Sequence, residues 1–262
     1  MDAPWQRSQL PTWTQNWEKS RTRRIEADNM ENMVNVIFGN RKSYEDWGLL
    51  LEGMKISFPE AKTKMVGLPG ADGSLDLTEI NGPVKYENRK VEFKFSRESG
   101  YENWHNLSSD IASYLHGKRL KVVVDTDPQF YYEGRMTLES TKNDDVLTSI
   151  TIAGTVDPYK YDFDDGTEDW LWDTFDFENG IIREYADIPV DGQRSILLVG
   201  RDKYTEPVVT CSVPMVLTFG EITVDLPAGT TKVYELLLGP GDHELIFTGM
   251  GTVTVSYRGG IL

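Results

Sequence analysis

Residues 87–107 read ENRKVEFKFSRESGYENWHNL, and they open the stretch from Glu87 to Pro158 that decides the fold. Apolar residues alternate with charged ones over 90–95, which predicts a strand with one face in water. Ser99 and Glu102 have the spacing of a capping box, and Gly117 supplies a helix stop. Between them, apolar residues recur at helical spacing. The packed side of the predicted helix carries Trp104, Leu107, Ile111 and Tyr114.

Three more strands are predicted after the helix. Alternating patterns run over residues 120–124, 130–139 and 146–152, with Tyr131 on the water-facing side of the second. The connections 125–128 and 142–145 are rich in turn formers. This order predicts a helix packed on an antiparallel sheet.

Upstream, residues 34–38 alternate as a strand, and 44–51 are predicted to enter a second strand after a polar turn. The segment Met65 to Thr78 then gives two short extended arms around a tip of Pro, Gly and Asp. Its glycines at 67, 70 and 73 resemble a phosphate loop only superficially, because no helix follows them. We therefore predict a projecting hairpin arm.

The chain becomes all-β from about Asp173. Short apolar runs separated by turn signals predict a C-terminal β-sandwich or jelly roll. The predicted strands are 181–188, 195–199, 208–213, 215–219, 222–226, 233–238, 244–248 and 252–257.

These patterns divide the chain into four parts: an N-terminal extension (1–32), a first domain (33–160), an acidic linker (161–172) and a C-terminal sandwich (173–262). Between Asp157 and Glu178 there are nine carboxylates and one base, which is typical of a solvated connector. The extension carries Trp5, Trp13 and Trp17 among polar residues. It either docks its tryptophans on another surface or is disordered, and Met1, Met30 and Met33 all remain candidate starts.

Composition excludes several classes of function. The formal net charge of −15 argues against binding nucleic acid through its phosphates. No apolar run has the roughly 18 to 20 residues of a membrane span, and no secretory signal is readable, so we expect folding in a cytoplasm. Cys211 is expected to be a strand thiol, and the three histidines show no zinc spacing. In 162–166 the glycine is one position early for a calcium loop. We expect no metal, cofactor or catalytic residue.

Five motifs, in this order along the chain, are similar to those of one known family: 44–49 (YEDWGL), 69–79 (PGADGSLDLTE), 86–89 (YENR), 114–118 (YLHGK) and 130–135 (FYYEGR). Together they resemble the distal tail protein (Dit family) of long-tailed, siphovirus-like bacteriophages and related prophage tail particles. The resemblance covers residues from about Val34 to Pro158.

This resemblance implies a mainly β fold: an N-terminal β-sandwich with one packed helix and a projecting hairpin, followed by a C-terminal galectin-like sandwich. It implies a homohexameric ring in the virion tail tip that joins the tail tube protein to a tail-tip or tail-associated lysin-like protein and to receptor-binding proteins. The particle would assemble in the cytoplasm of a bacterial host. The arm would reach the neighbouring subunit through Val66, Leu68, Pro69, Gly70, Asp72, Gly73, Leu75 and Leu77.

Two other classes of function compete with this one. A C-terminal sandwich that binds carbohydrate on a surface-attachment protein would need aromatic platforms. The segment from Asp173 onward has no Trp, and its tyrosines are Tyr185, Tyr204, Tyr234 and Tyr257. An enzyme that uses a pair of carboxylates is the third class. The sequence contains many carboxylates, but no pattern places one of them in an apolar pocket, as such an enzyme requires. For the ring, the acidic balance is compatible with a lumen that conducts DNA without binding it.

Overall fold

The computed structural model describes residues 34–97, 104–139, 149–163 and 184–262. In the first three ranges the elements are β1 Val36–Phe38, β2 Arg41–Lys42, α1 Ser43–Trp47, β3 Leu49–Ile56, β4 Met65–Gly67, β5 Ser74–Asp76, β6 Arg89–Arg97, α2 Trp104–Leu115, β7 Arg119–Val124, β8 Phe130–Leu138, β9 Ile150–Val156 and β10 Lys160–Asp162. In the last range they are β11 Ile188–Gly200, β12 Val208–Cys211, β13 Met215–Phe219, β14 Ile222–Leu226, β15 Gly229–Lys232, β16 Gly241–Ser256 and β17 Gly260–Ile261.

The first sheet is antiparallel and bends over itself. Its order is β2-β1-β7-β8-β9-β6-β3. Phe38 on β1 and Phe93 on β6 have ring centroids only 5.7 Å apart, although three strands lie between β1 and β6 in the sheet. The two halves of one sheet therefore face each other as the layers of a sandwich. α2 packs into this core through the buried Ile111. The predicted mainly β fold with one packed helix is confirmed.

Two glycines allow close contacts, one between β8 and β9 and one between the end of α2 and β8. Gly134 on β8 lies so close to β9 that a Cβ there would overlap the backbone of Thr155 and Val156. Gly117 has a φ of 75° and donates its N–H to the Met136 carbonyl at 2.8 Å, so it ends α2 and ties the helix to β8. The predicted helix stop is confirmed, whereas the predicted capping box at Ser99 and Glu102 lies outside the described residues.

Two predictions in the first domain are wrong in detail, and one falls partly outside the described residues. The strand predicted over 44–51 begins only at Leu49, because residues 43–47 form α1, which ends at Gly48 in the left-handed region (φ 64°). Tyr131 is buried rather than water-facing, since Tyr161 of β10 packs on its ring at 5.6 Å. β9 begins at Ile150, and the preceding residues predicted for that strand, Val146 and Thr148, lie outside the described residues.

The second sheet is built around two long strands. β11 pairs with β16 over 13 residues along one edge of β16. The other edge of β16 pairs with β13 over 246–248 and with β12 over 253–256, so β16 passes from one neighbour to the next around Gly249 and Gly251. The runs predicted at 244–248 and 252–257 are thus parts of one strand, and the run 195–199 is part of β11.

The predicted strand 233–238 does not form, and in the described part of the predicted strand 181–188 only Ile188 lies in a strand, as the first residue of β11. β15 ends at Lys232, and the residues after it contribute a turn and the isolated bridge between Thr205 and Leu238. Val233, Leu236 and Leu238 are buried there. Their burial, rather than strand pairing, explains the apolar pattern, which period-two reasoning cannot distinguish from a strand.

Strand pairing joins the two halves of the chain. β10 pairs with β8 through Tyr161–Tyr131 and with β17 through Tyr161–Gly260. The predicted boundary at residue 160 therefore falls inside β10, and the start of the predicted acidic linker belongs to a strand. The remainder of that linker lies outside the described residues. In the described ranges, no helix is long and apolar enough to cross a membrane.

Replacing the buried ring at the bend tests the folded-over sheet. We expect Phe38→Ala to lower the free energy of unfolding by about 3–5 kcal/mol, because it removes a fully buried aromatic ring and leaves a cavity. Phe58→Ala is the matched control. That ring is 82% exposed, and its removal should change the unfolding free energy by less than about 0.5 kcal/mol. Urea unfolding of both variants at low protein concentration measures the difference, and equal losses would contradict the bend.

Candidate interaction surfaces

The predicted arm is a two-stranded hairpin. β4 and β5 pair through Met65–Asp76, Val66–Leu75 and Gly67–Ser74. At the tip, Gly70 and Gly73 have φ values of 82° and 76°, a region that glycine adopts at little cost. The arm thus has the backbone that its glycines and proline predict.

Hydrogen bonds among Lys64, Asp76 and Thr78, which we call the polar latch, close the base of the hairpin. The Asp76 carboxylate accepts hydrogen bonds from the Thr78 amide at 2.9 Å and from the Thr78 hydroxyl at 2.5 Å. The same hydroxyl accepts the Lys64 N–H at 3.0 Å. These hydrogen bonds favour the ionised form and therefore hold the pKa of Asp76 below its usual value. The hydrogen bond from the Thr78 hydroxyl has the larger effect, and that from the Thr78 amide comes second. The latch fixes the point from which the arm projects.

Apolar side chains on and beside the arm are exposed to solvent. Seven of the fourteen exposed large apolar residues lie between 54 and 80, although this span is a small part of the described chain. We call this set the apolar arm surface; it comprises Met54, Phe58, Met65, Val66, Leu68, Leu75 and Ile80. Exposed apolar clusters of this kind mark interaction sites. An isolated two-stranded hairpin is marginal in water, so this surface needs a cover.

The structure places all eight predicted interface residues on the arm. Val66, Leu68 and Leu75 are exposed large apolar residues, whereas Leu77 is half-buried at the base. The tip residues Pro69, Gly70, Asp72 and Gly73 are exposed. The predicted interface set does not contain Met54, Phe58, Met65 and Ile80. The period-two pattern of Met54, Ile56 and Phe58, at and just beyond the end of β3, is a signal for two of them.

The arm is anchored to the sandwich and to the junction between the halves. Ala61 and Tyr86 form an isolated bridge where the arm leaves β3 and returns toward β6. The Tyr86 ring meets Tyr159 edge-on, with centroids 5.9 Å apart, just before β10. The base of the arm therefore contacts the segment that joins the two halves.

The junction is held by a buried ion pair and by aromatic contacts. Arg201 donates to both carboxylate oxygens of Asp162, at 2.9 and 3.3 Å, and the two side chains are 12% and 7% exposed. Arg258 donates to the Tyr131 hydroxyl at 2.8 Å. Lys203 lies 4.7 Å from the Tyr161 ring centroid. Burial lowers the pKa of Lys203 and raises that of Tyr161. Sequence spacing gave no signal for these pairs, because their partners are far apart in the chain.

All four residues of α2 that were predicted to lie on its packed side contact the hydrophobic core of the first domain. Ile111 is fully buried, and Trp104, Leu107 and Tyr114 are partly buried against it. The Tyr114 hydroxyl also donates to the Phe38 carbonyl at 2.9 Å. These contacts are structural.

The acidic excess does not come from the described first domain. The described residues between 34 and 163 have 16 carboxylate and 15 basic side chains. Residues 184–262 have ten carboxylate and five basic side chains. The described part of the first domain is therefore near neutral. A lumen wall that repels DNA has no support from the charges of that part.

The second half offers few accessible aromatic rings. Tyr185 and Tyr257 are buried with ring centroids 5.9 Å apart, whereas Tyr234 is 69% exposed and Tyr204 is 39% exposed. Cys211 is buried in β12, and burial raises the pKa of its thiol, which disfavours the reactive thiolate. Among the residues that the structure describes, no group of three or more His, Cys, Asp or Glu is placed to hold a metal ion. Asp162 of the candidate calcium loop is instead paired with Arg201.

Comparison with known structures finds this fold among the hub proteins of phage tails. The chain matches the crystal structure of SPP1 Dit (gp 19.1), described as a paradigm of the hub adsorption apparatus in phages that infect Gram-positive bacteria. The TM-score is 0.54 at 12% sequence identity, and the match covers 87% of this chain and 99% of that one. No protein-family model and no curated protein matches the chain. At this identity the likeness is one of fold, and it confirms at that level the resemblance drawn from the sequence motifs.

Removing one partner of the buried pair tests the junction. We expect Arg201→Met to destabilise the protein by about 3–5 kcal/mol, because it leaves the Asp162 carboxylate buried without its cation. Lys42→Met breaks an exposed pair with Glu45 and should cost less than about 1 kcal/mol. Thermal unfolding of the two variants provides the measurement. A loss for Arg201→Met no larger than that of Lys42→Met would contradict a junction held by this pair.

Proposed function

We propose that this protein is a structural component of a phage tail tip or baseplate, in which six copies close into a ring that joins the tail tube to the tip and receptor-binding proteins. One observation carries the proposal: the apolar arm surface projects from a fold shared with SPP1 Dit. The function is geometric, since a heterologous interface repeated about an axis closes into a ring.

The arm suits a contact between copies. Its backbone edges are unpaired outside the β4–β5 ladder among the described residues, and its tip side chains are exposed. A hairpin of this kind binds by adding to a sheet edge and burying alternate apolar side chains. β3 ends the order of the first sheet and therefore offers such an edge on each copy.

The remaining partners follow from the arrangement of the two halves. The first sandwich would form the ring and contact the tail tube protein on one side and a tail-tip or tail-associated lysin-like protein on the other. The second sheet, held at the junction by β10 and β17, would point away from the ring as a galectin-like domain toward receptor-binding proteins. The protein would act in the virion tail after assembly in the host cytoplasm, as scaffold rather than as catalyst.

Charged substitutions on the arm test the proposal. We expect wild-type protein to have a mass by light scattering of six times the 29.8 kDa chain and ring-shaped particles in negative stain. Leu68→Asp with Leu75→Asp should give monomers at the same concentration, because the interface would then bury two unpaired carboxylates. Tyr234→Asp with Leu237→Asp is the matched control on the second half and should keep the wild-type mass.

One outcome would contradict the arm as the interface, and another would contradict the ring itself. If the arm variant keeps the same assembled mass as wild type, the arm is not the interface. If wild type is a monomer at every concentration and a glycan array shows tight binding, the alternative of a carbohydrate-binding attachment protein replaces the tail-ring function. In that case Tyr234→Ala should abolish the glycan signal, because Tyr234 is the most exposed ring of the described second half.

A further inference from the structure

The outer face of the second sheet has no cover among the described residues. Register places Ser195, Ile246 and Thr218 side by side on this face, whereas Leu245 and Phe247 point into the core. Leu197 and Met250 occupy outward positions of the same strands and are 53% and 74% exposed. Exposed large apolar side chains that share one face of a sheet mark an interaction site.

The outward positions of β11, β13, β14 and residues 242–250 carry carboxylates and no base. Asp191, Asp225, Asp242 and Glu244 lie there and are exposed. Arg194 of β11 is at an inward register position. Beside Asp225 lies an open, mainly apolar groove, whose lining includes Pro214, Val216 and Pro227. We call these outward positions and the groove the acidic face. Its occupant should be basic and should carry an apolar side chain.

Residues 13–24 of the N-terminal segment have this chemistry. Lys19, Arg21, Arg23 and Arg24 put four bases within six residues, and Trp13 and Trp17 precede them closely. This is the densest cluster of bases in the chain, and the remaining residues account for the whole formal charge of −15, since 1–33 hold five bases and five acids. Charge complementarity therefore favours contact between this segment and the acidic face.

The segment joins the fold close to the second half. Asn35 donates its N–H to the Asp125 carboxylate at 3.0 Å and accepts the Asp125 N–H at 3.1 Å. Five residues after Asp125, Phe130 pairs with Asp162 of β10 at the junction. Residues 19–34 can extend over about 50 Å, whereas a domain of the size of 184–262 has a radius of gyration of about 12 Å. The segment can thus reach any side of the second half.

We propose that residues 13–24 dock on the acidic face of the same chain, with a tryptophan in the groove beside Asp225 and the basic cluster against the carboxylates. The ring function neither requires nor excludes this contact. Exposed ion pairs are individually weak and are screened within about 8 Å at physiological salt, so docking is sensitive to salt. The contact gives the extension a role that the arm and the junction do not supply.

Trypsin cleavage of the intact protein tests the docking, because the docked cluster contains four cleavage sites. We expect Asp225→Asn with Asp242→Asn and Glu244→Gln to speed cleavage after residues 19–24 about tenfold, the effect of losing three exposed ion pairs. Glu52→Gln with Glu60→Gln and Glu92→Gln is the matched control. It removes three exposed charges from the first domain and should leave the wild-type rate. Mass spectrometry follows each cleavage product.

Trp17→Ala provides a second test that leaves the second sheet intact. This substitution should also speed cleavage. Salt at 0.5 M should speed cleavage of the wild-type protein but not of the variant with three substitutions on the acidic face. Equal cleavage rates for wild type, Trp17→Ala and the face variant would overturn the proposal. Protection that disappears on dilution would also overturn it, because the segment would then dock on another copy. Both results leave the arm test unaffected, since its variants lie on β4, β5 and their connection.

Discussion

The contact between Phe38 and Phe93 holds the first sheet in its bent form, and the position of every other surface depends on that bend. β1 and β6 face each other across the core, and β3, the neighbour of β6, ends the strand order and leaves a free edge. The chain leaves this edge for the arm and returns into β6. The hairpin therefore projects from the core instead of packing on it, and its apolar side chains stay exposed.

The same frame fixes the second half of the chain. β10 pairs with β8 along one edge and with β17 along the other. The buried ion pair between Arg201 and Asp162 stabilises this contact. Tyr86 and Tyr159 connect the arm base to this junction. The base of the arm and the second half of the chain are thus attached close to one another.

Local patterns predicted the elements well and their partners poorly. The strand at 91–95, the helix with Ile111 inside and the hairpin at 65–78 follow from period and turn chemistry alone. The sequence pattern divides the single strand β16 into two runs, 244–248 and 252–257, and the break between them contains Gly249 and Gly251, where β16 passes from β13 to β12. Tyr131 was assigned to solvent because its cover, Tyr161, comes from a strand that sequence placed in a linker. Turn chemistry predicts the exposed tip of the arm, whereas the Asp162–Arg201 pair depends on tertiary proximity that no spacing reveals.

Hydrogen exchange of residues 65–76 at increasing protein concentration tests most directly whether a second copy covers the arm. Amides at the hairpin's outer edges exchange freely unless another chain shields them. The arm peptides should gain protection as the concentration rises through assembly, while peptides from β8, already buried, should not change. If the arm exchanges at one rate at all concentrations while the mass rises, the copies meet through another surface, and the central claim is contradicted.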